Sequence, residues 1–507
     1  MRRGLPAARR LLRGFFNPIA RHAQQPTGDS AAPTRSVRWV LVSLSLSMLL
    51  SSLGTSIANV GLPTLARVFD ASFAQVQWVV LAYLLAVTTL IVSVGRLGDL
   101  VGRRRLLVAG IALFSAASVL CGLASTLGLL IGARAAQGLG AAVMMALTMA
   151  FVGESVPKAQ TGSAMGLLGT MSAVGTALGP TLGGVLIGSF GWQSIFLINA
   201  PLGVLAVVLV RRYLPVDARA SATNRARFDH VGTLLLALTL AAYALAMTNR
   251  HDSYGPLNFS LLFAALVGAG LFLRVEARTA SPLIPLAMFR DPLLSAGFAM
   301  SALVTTVVMA TLVVGPFYLS GALLLDAARV GLVMSAGPAA AALAGVPAGR
   351  FVDRHGPHRA SITGLFAVAV GAALLTVLPR SLGILGYVAP LVVITAGYAL
   401  FQASNNTAVM TNIRSDQRGV VSGLLNLSRN LGLVTGASVM GTVFARGSAT
   451  TSVVTTVPAA IERGMHTTFA VAAALIVLAL AIAARSHAVA RRGSSQNAGG
   501  QDGQRHE

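Results

Sequence analysis

Residues 95–105 read GRLGDLVGRRR, and residues 349–359 read GRFVDRHGPHR. The two stretches share Gly, Arg, Asp and Gly at the same four offsets, so that Asp99 is matched by Asp353. Each stretch is a short polar break between long apolar runs. A polar loop that recurs in the second part of the chain indicates two related halves.

Fourteen apolar runs surround these loops, and each is long enough to cross a bilayer as a helix of about 17–25 residues. The runs lie near 38–60, 75–95, 106–124, 127–149, 163–188, 194–210, 231–248, 257–273, 293–318, 330–348, 360–378, 384–406, 419–445 and 466–485. Each repeated loop follows the second run of a six-run block if runs seven and eight are an inserted pair. The sequence therefore predicts an all-α integral membrane protein. Its predicted parts are a basic tail (1–37), a six-helix half (38–210), an inserted helix pair (231–273), a second six-helix half (293–485) and a disordered tail (486–507).

The composition excludes an ordinary soluble protein. Of the 507 residues, 55% are hydrophobic and 10% are charged, whereas a soluble domain has about 25% charged residues. On the surface of a soluble protein, the formal net charge of +23 would suggest a nucleic-acid partner. Here thirty of the 38 Lys and Arg residues fall in the tails and in the loops on one side, against six on the other. This bias predicts cytoplasmic termini and no nucleic-acid partner. The basic residues are 37 Arg and a single Lys, Lys158, which indicates a GC-rich bacterial genome and hence a bacterial inner membrane.

The sequence lacks the residues that several other classes of protein need for their function. The only cysteine, Cys121, lies in an apolar run, which excludes disulfides and cysteine-ligated metals. The sequence has no phosphate-binding loop for ATP and no group of acids, histidines or nucleophiles at a membrane surface. We therefore expect no enzyme, no cofactor and no metal. The first 38 residues carry eight Arg and one acid, which indicates a basic tail, a transit peptide or a surface-lying amphipathic helix.

Four motifs follow one another in the first half. They are GRLGDLVGRR at 95–104, RAAQGLG at 134–140, GTALGPTLGG at 175–184, and Gly191-Trp192 with FLINAPLG at 196–203. Together they resemble the major facilitator superfamily, specifically its fourteen-helix drug:proton antiporter branch. The resemblance implies two six-helix halves around a central path, and proton-driven export of small amphipathic compounds. A dedicated metabolite exporter, or an uptake carrier of the same fold, is the alternative; substrate identity and oligomeric state stay open.

The resemblance implies that the first repeated loop acts as a latch, which holds the cytoplasmic sides of the two halves together in one conformation. The latch residues would be Gly95, Asp99, Gly102, Arg103 and Asp353. Asp99 and Arg103 are four residues apart, which allows pairing on a helix. Loop capping and topological charge are the alternative explanation. Candidates for proton coupling are Asp99, Arg134 and Glu154.

The fifth apolar run is rich in glycine. Gly175, Gly179 and Gly183 share one helix face and permit close helix packing, while Pro180 predicts a kink. Gly184 completes the motif that the resemblance assigns to a rocking seam between the halves. Tight packing and a rocking seam are compatible.

Charges are scarce inside the runs: apart from Arg38 and Arg485 at the ends of the first and last runs, only Arg134 and Arg429 lie there, and both need hydration or acceptors. The related exporters carry an acid in helix one where this chain has Gly54. The resemblance places helices one, four, nine and twelve at the central path. The substrate-cavity candidates are Asn59, Arg134, Gln137, Tyr318, Gln402, Asn405, Asn406 and Arg429. Asn405 and Asn406 could equally hydrogen-bond between helices.

Overall fold

The structure, a computed structural model, describes residues 35–91, 93–156, 161–215, 229–248, 256–279, 286–411, 413, 418–448 and 457–503. Within these residues the chain forms fourteen long helices, labelled α1 to α14 in chain order. Their bounds are α1 Arg35–Val68, α2 Phe73–Val76 with Trp78–Ile91, α3 Arg103–Gly122, α4 Leu127–Ser155, α5 Thr161–Phe190, α6 Ser194–Leu197 with Asn199–Tyr213, α7 His230–Thr248, α8 Pro256–Glu276, α9 Pro292–Phe317 with the π-turn Tyr318–Ala322, α10 Ala327–Met334 with Ala336–His355, α11 Pro357–Val377, α12 Gly383–Thr411, α13 Arg418–Thr435 with the π-turn Gly436–Met440 and Gly441–Gly447, and α14 Pro458–Gly503. A short helix, Val94–Val101, connects α2 to α3.

Local capping begins several of these helices. Ser72 and Gln75 form a capping box before the first turn of α2. Thr126 caps α4, and the Asp291 carboxylate accepts from the first backbone N–H groups of α9. These side chains satisfy donors that would otherwise be unpaired at a helix start.

The matched glycines of the repeated loops have the same backbone role. Gly102 has a φ of 100° and Gly356 a φ of 80°, and each residue ends one helix and begins the next. Glycine adopts this region without the steric cost of a side chain. The repeat therefore marks two equivalent helix–helix corners. We call the end of the bundle that carries them the repeat side and the opposite end the far side.

The two halves repeat the same helix contacts. In the first half, α4 packs on α2 and α3, and α3 packs on α6. In the second half, α12 packs on α10 and α11, and α11 packs on α14. Each pair in the second half corresponds to a pair eight helices earlier. This correspondence is the duplicated architecture that the repeated loops predict.

The inserted pair packs at the boundary between the halves. Helices α7 and α8 lie against each other, and α7 contacts both α2 of the first half and α13 of the second. The indole of Trp78 donates to Thr248 at 3.1 Å, and Tyr243 donates to Thr435 at 3.3 Å. Apolar residues from α7, α8, α9, α12 and α13 also form a buried cluster.

Thirteen of the helices in the described residues are long and apolar enough to cross a membrane. The predicted run at 419–445 is not among them, because Arg418, Arg429 and two asparagines lower its hydropathy. Residues 418–447 are nevertheless continuously helical. At 1.5 Å per residue this helix is roughly 45 Å long, which is enough to span a bilayer.

The end of the chain differs from the prediction of disorder after Arg485. Helix α14 continues to Gly503. The residues that follow Arg485 include several Ala and Arg, which favour helix, so the helix extends past its apolar part. Residues 504–507 and the tail up to residue 34 lie outside the described residues.

Candidate functional site

The repeated loop at 95–105 packs within the first half. Gly98, on the short helix Val94–Val101, allows close approach: a Cβ there would lie 3.1 Å from Leu147 of α4. Arg103 is half-buried at the start of α3, and Arg104 donates to the backbone of Arg211 on α6. The side chain of Asp99 lies outside the described residues, so its pairing with Arg103 stays a prediction.

The remaining loop candidates are placed as follows. Gly95 is exposed on the short helix, and Gly102 forms the corner described above. Asp353 is exposed near the end of α10. Glu154 is in the last turn of α4, but its side chain is outside the described residues.

The glycines of α5 serve two different contacts. Gly175, Gly179 and Gly183 face α1 of the same half, where a Cβ would meet Leu49, Ser56 and Val60 respectively. This face is a packing seam inside one half.

Gly184 instead contacts the second half. A Cβ on Gly184 would lie 2.6 Å from the carbonyl oxygen of Ala327 and 2.9 Å from the Cα of Gly331, both on α10. A Cβ on Gly331 would in turn overlap the carbonyl oxygen of Pro180. The two backbones therefore touch at this crossing on the far side, and only part of the predicted seam joins the halves.

A second contact between the halves joins α2 and α13 on the far side. The Gln77 amide donates to the carbonyl oxygen of Ala437 at 2.9 Å, inside the π-turn of α13. The side chain of Gln77 fills the space that a Cβ on Gly441 would need. The ring of Phe73 packs against Phe317 and Phe444, with centroids 4.5 and 5.2 Å away. Thus both crossings hold the far side together.

Arg134 is fully buried in the first half. Its Nε donates to the carbonyl oxygen of Val79 at 2.9 Å, and its Nη1 donates to that of Gly54 at 3.0 Å and to Gln137. The guanidinium carbon lies 4.2 Å from the centre of the Tyr83 ring, within the range of a cation–π interaction. In this conformation Arg134 bridges α1, α2 and α4 and is 0% exposed, so it does not line an accessible cavity.

Gly54 lies in a crowded part of the first half, next to the Arg134 site. A Cβ there would lie 3.0 Å from the Phe114 ring and 3.5 Å from the Tyr83 hydroxyl. An acid at this position would stand next to Arg134, whose Nη2 has no hydrogen-bond partner. This chain therefore has the Arg134 cation but no carboxylate at position 54 beside it.

The other cavity candidates divide by exposure. Asn59, Gln137, Tyr318 and Asn405 are buried, Gln402 and Arg429 are half-buried, and Asn406 is exposed. Asn405 donates to the carbonyl oxygen of Gly297 on α9 at 3.1 Å, which is an interhelical contact. Tyr318 stacks on Tyr387 at 5.9 Å between the ring centres.

Gln402 and Arg429 come together across α12 and α13. With the amide of Gln402 oriented to satisfy both neighbours, its oxygen accepts from Arg429 Nη1 at 3.0 Å and Nη2 at 3.2 Å. Its nitrogen then lies 2.9 Å from the Tyr398 hydroxyl. This cluster places a partly exposed cation inside the second half.

The sequence analysis missed five of the contacting residues: Gln77, Tyr83, Gly331, Tyr398 and Gly441. Tyr398 precedes Gln402 by one helical turn, and this spacing could have identified it. Gln77 is a polar residue at the start of an apolar run, which is a weaker signal. The two glycines carry no signal, because their partners are on helices of the other half.

Comparisons with known proteins agree with this architecture. Residues 44–437 match the family model of the Major Facilitator Superfamily. The riboflavin transporter RibZ of Clostridioides difficile is 32% identical over 81% of this chain and 89% of its own length. The multidrug resistance protein Stp of Mycobacterium tuberculosis is 32% identical over 80% of this chain and 75% of its own length. The multidrug efflux pump LfrA of Mycolicibacterium smegmatis is 29% identical over 81% of both chains.

Two solved structures share the fold. A bacterial homologue of the human lysosomal transporter Spinster, inward-facing and unoccupied, aligns with a TM-score of 0.67 at 16% identity over 90% of this chain and 98% of its own. The partially occluded, inward-open xylose transporter XylE from E. coli aligns with a TM-score of 0.62 at 12% identity, over 88% of this chain and 97% of its own. The duplicated halves and the family match over most of the chain lead to one conclusion: this multi-pass membrane protein belongs to the Major Facilitator Superfamily.

Proposed function

We propose that the protein is a secondary-active exporter of small amphipathic compounds, driven by protons across the bacterial inner membrane. The observation that carries the proposal is the pair of far-side crossings between two repeated halves. One crossing consists of backbone against backbone at Gly184 and Gly331, and the other of Gln77 over Gly441. Relatives named as multidrug efflux pumps support the direction of transport.

Alternating access requires these two crossings to open and close as units. The contact of Gly184 with Gly331 has no side chain to rearrange, and the Gln77 bond contributes about 1 kcal/mol. Separation of the halves here, with closure on the repeat side, would expose the central path to the other face of the membrane. The latch at Asp99 would stabilise that second state.

Proton coupling is assigned by elimination among the acids. Helix one has Gly54 where related exporters carry a carboxylate, so we propose that the proton is carried by Asp99, by Glu154 or by the substrate itself. Arg134 is a positioning residue, because its Nε and Nη1 donate to backbone carbonyls and to Gln137 and it is fully buried.

The alternative is a dedicated exporter or uptake carrier for one metabolite. The riboflavin transporter among the relatives favours it. The two functions differ in a growth assay: an efflux pump protects cells from several unrelated toxic compounds, whereas a metabolite exporter releases one compound into the medium. An uptake carrier would instead accumulate that compound inside cells.

The direct test is transport into inverted membrane vesicles energised by respiration. We expect accumulation of a neutral or anionic amphipath that a protonophore abolishes, and weaker accumulation of a quaternary ammonium dye of similar size. The charged residues within the predicted spans are arginines, so a permanently cationic substrate would meet no negative charge there. Nothing would then offset the free energy that it loses on dehydration. Stronger transport of the dye, unchanged by Gly54→Asp, would contradict this charge preference; no gradient-dependent transport of either compound would contradict export.

A further inference from the structure

Arg429 lies deep in the second half. It is eleven residues from the start of α13, and Gln402 is nine residues from the end of α12. At 1.5 Å per residue, both side chains begin about 15 Å from the repeat side. A charge at such depth costs about 2.5–3.5 kcal/mol on insertion scales, so the guanidinium needs compensation.

The compensation present is a neutral amide. The Gln402 oxygen accepts from both Nη atoms of Arg429, and the amide is fixed from the other side by the Tyr398 hydroxyl. Among the described residues, no carboxylate forms an ion pair with Arg429. The two-nitrogen edge of an arginine matches a carboxylate, and such a charged pair is roughly twice as strong as a neutral bond. Gln402 therefore occupies the place of a stronger, negatively charged partner.

The cluster is partly open. Gln402 and Arg429 are half-buried, and Asn406, one turn from Gln402 on α12, is exposed. Exposure of an arginine to lipid would be costly, so the open part of this surface faces the hydrated path. Arg134 is the contrast within the same chain, because its guanidinium is 0% exposed and its acceptors belong to the protein.

From this geometry we propose that Arg429, Gln402 and Tyr398 form a subsite for the carboxylate of an amphipathic substrate. The substrate carboxylate replaces the Gln402 oxygen at the Arg429 fork, and the released amide turns to donate to the carboxylate. The proposal rests on the function proposed above and adds the chemical class of the substrate.

Binding to the purified full-length protein tests the subsite without a membrane gradient. The probes are benzoate, 1-naphthaleneacetate and 1-pyrenebutyrate, each compared with its primary amide by equilibrium dialysis at pH 7. Acid and amide have nearly the same shape and differ in charge. We expect at least one acid to bind wild-type protein about 10- to 100-fold more tightly than its amide, which is the range for a hydrogen bond to a charged group.

Two variants remove the uncompensated positive charge of Arg429 in different ways. Arg429→Gln deletes the charge, and Gln402→Glu places a resident carboxylate on the same fork with little change in size. Both variants should lose the preference for the acid and retain binding of the amide. Gln402→Glu adds an ion pair to the folded protein, so it also tests the subsite if Arg429→Gln fails to fold.

Arg463→Gln is the matched control, because it removes the same charge from an exposed position on α14. It should leave the preference unchanged. Equal binding of every acid and amide to wild type would overturn the subsite, as would a preference that survives both variants. The proposed export function is tested separately from the subsite. Normal binding of the acid without gradient-driven transport in vesicles would overturn the proposed function and leave the subsite proposal standing.

Discussion

The side-chain amide of Gln77 on α2 reaches across the two halves and donates to the carbonyl oxygen of Ala437 on α13, 2.9 Å away. Ala437 lies in a π-turn, where the helix widens by one residue and regular hydrogen bonding is interrupted. Gly441, one turn later, supplies the space for the Gln77 side chain. A backbone irregularity and a missing side chain thus form one joint on the far side.

Gly441→Leu should therefore open the far side. A leucine would occupy the space of the Gln77 amide, so the state with this crossing closed would lose population. The measurement is the distance between spin labels at Val68 and Leu385, exposed residues of different halves, in protein that carries Cys121→Ala. We expect a longer distance in the variant. Gly270→Leu is the control, because a Cβ at Gly270 meets nothing within 4 Å; an unchanged distance in Gly441→Leu would refute the joint.

Arg134→Lys should destabilise the first half. A lysine ammonium cannot reach the carbonyl oxygens of Val79 and Gly54 together and also the Gln137 amide, so buried acceptors lose their donor. We expect a loss of about 2–3 kcal/mol in the free energy of unfolding, measured as a lower unfolding temperature in detergent. Arg463→Lys, at an exposed site, should have no such effect, and equal stability of the two variants would show that the Arg134 bonds are dispensable.

Asp99→Asn should abolish transport while the protein remains folded in the membrane. The substitution is nearly isosteric and removes the charge that a latch with Arg103 requires. Asp353→Asn is the comparison within the chain; its loss should be smaller, because Pro357 stands where the first loop has Arg103. The measurement is vesicle transport at matched expression, and full activity of Asp99→Asn would leave the first loop with a capping function alone.

Reporter fusions test the orientation of the inserted pair. The thirty-to-six distribution of basic residues predicts that both termini lie in the cytoplasm. A fusion after Pro256 should then report the outside, and one after Arg290 the cytoplasm. A cytoplasmic signal at Pro256 would mean that α7 does not cross the membrane, and the count of fourteen spans would be wrong.

The sequence by itself determined the number and order of the helices, because apolar length and loop charge are local properties. It also located the two repeated loops, and the structure shows that the matched Gly102 and Gly356 form equivalent helix corners there with a positive φ. The predicted run at 419–445 is helical as expected, despite its low hydropathy, whereas the last helix extends past Arg485, where the sequence predicted disorder.

Contacts between distant helices were decided only by the tertiary structure. Arg134 and Arg429 look alike in sequence, as single cations inside apolar runs. The fold surrounds Arg134 with carbonyl oxygens of α1 and α2, and it leaves Arg429 half-buried against an amide of α12. A side chain's own neighbours along a helix fix its depth in the membrane. Whether it is sealed or open depends on which other helix lies opposite, and that is a property of packing.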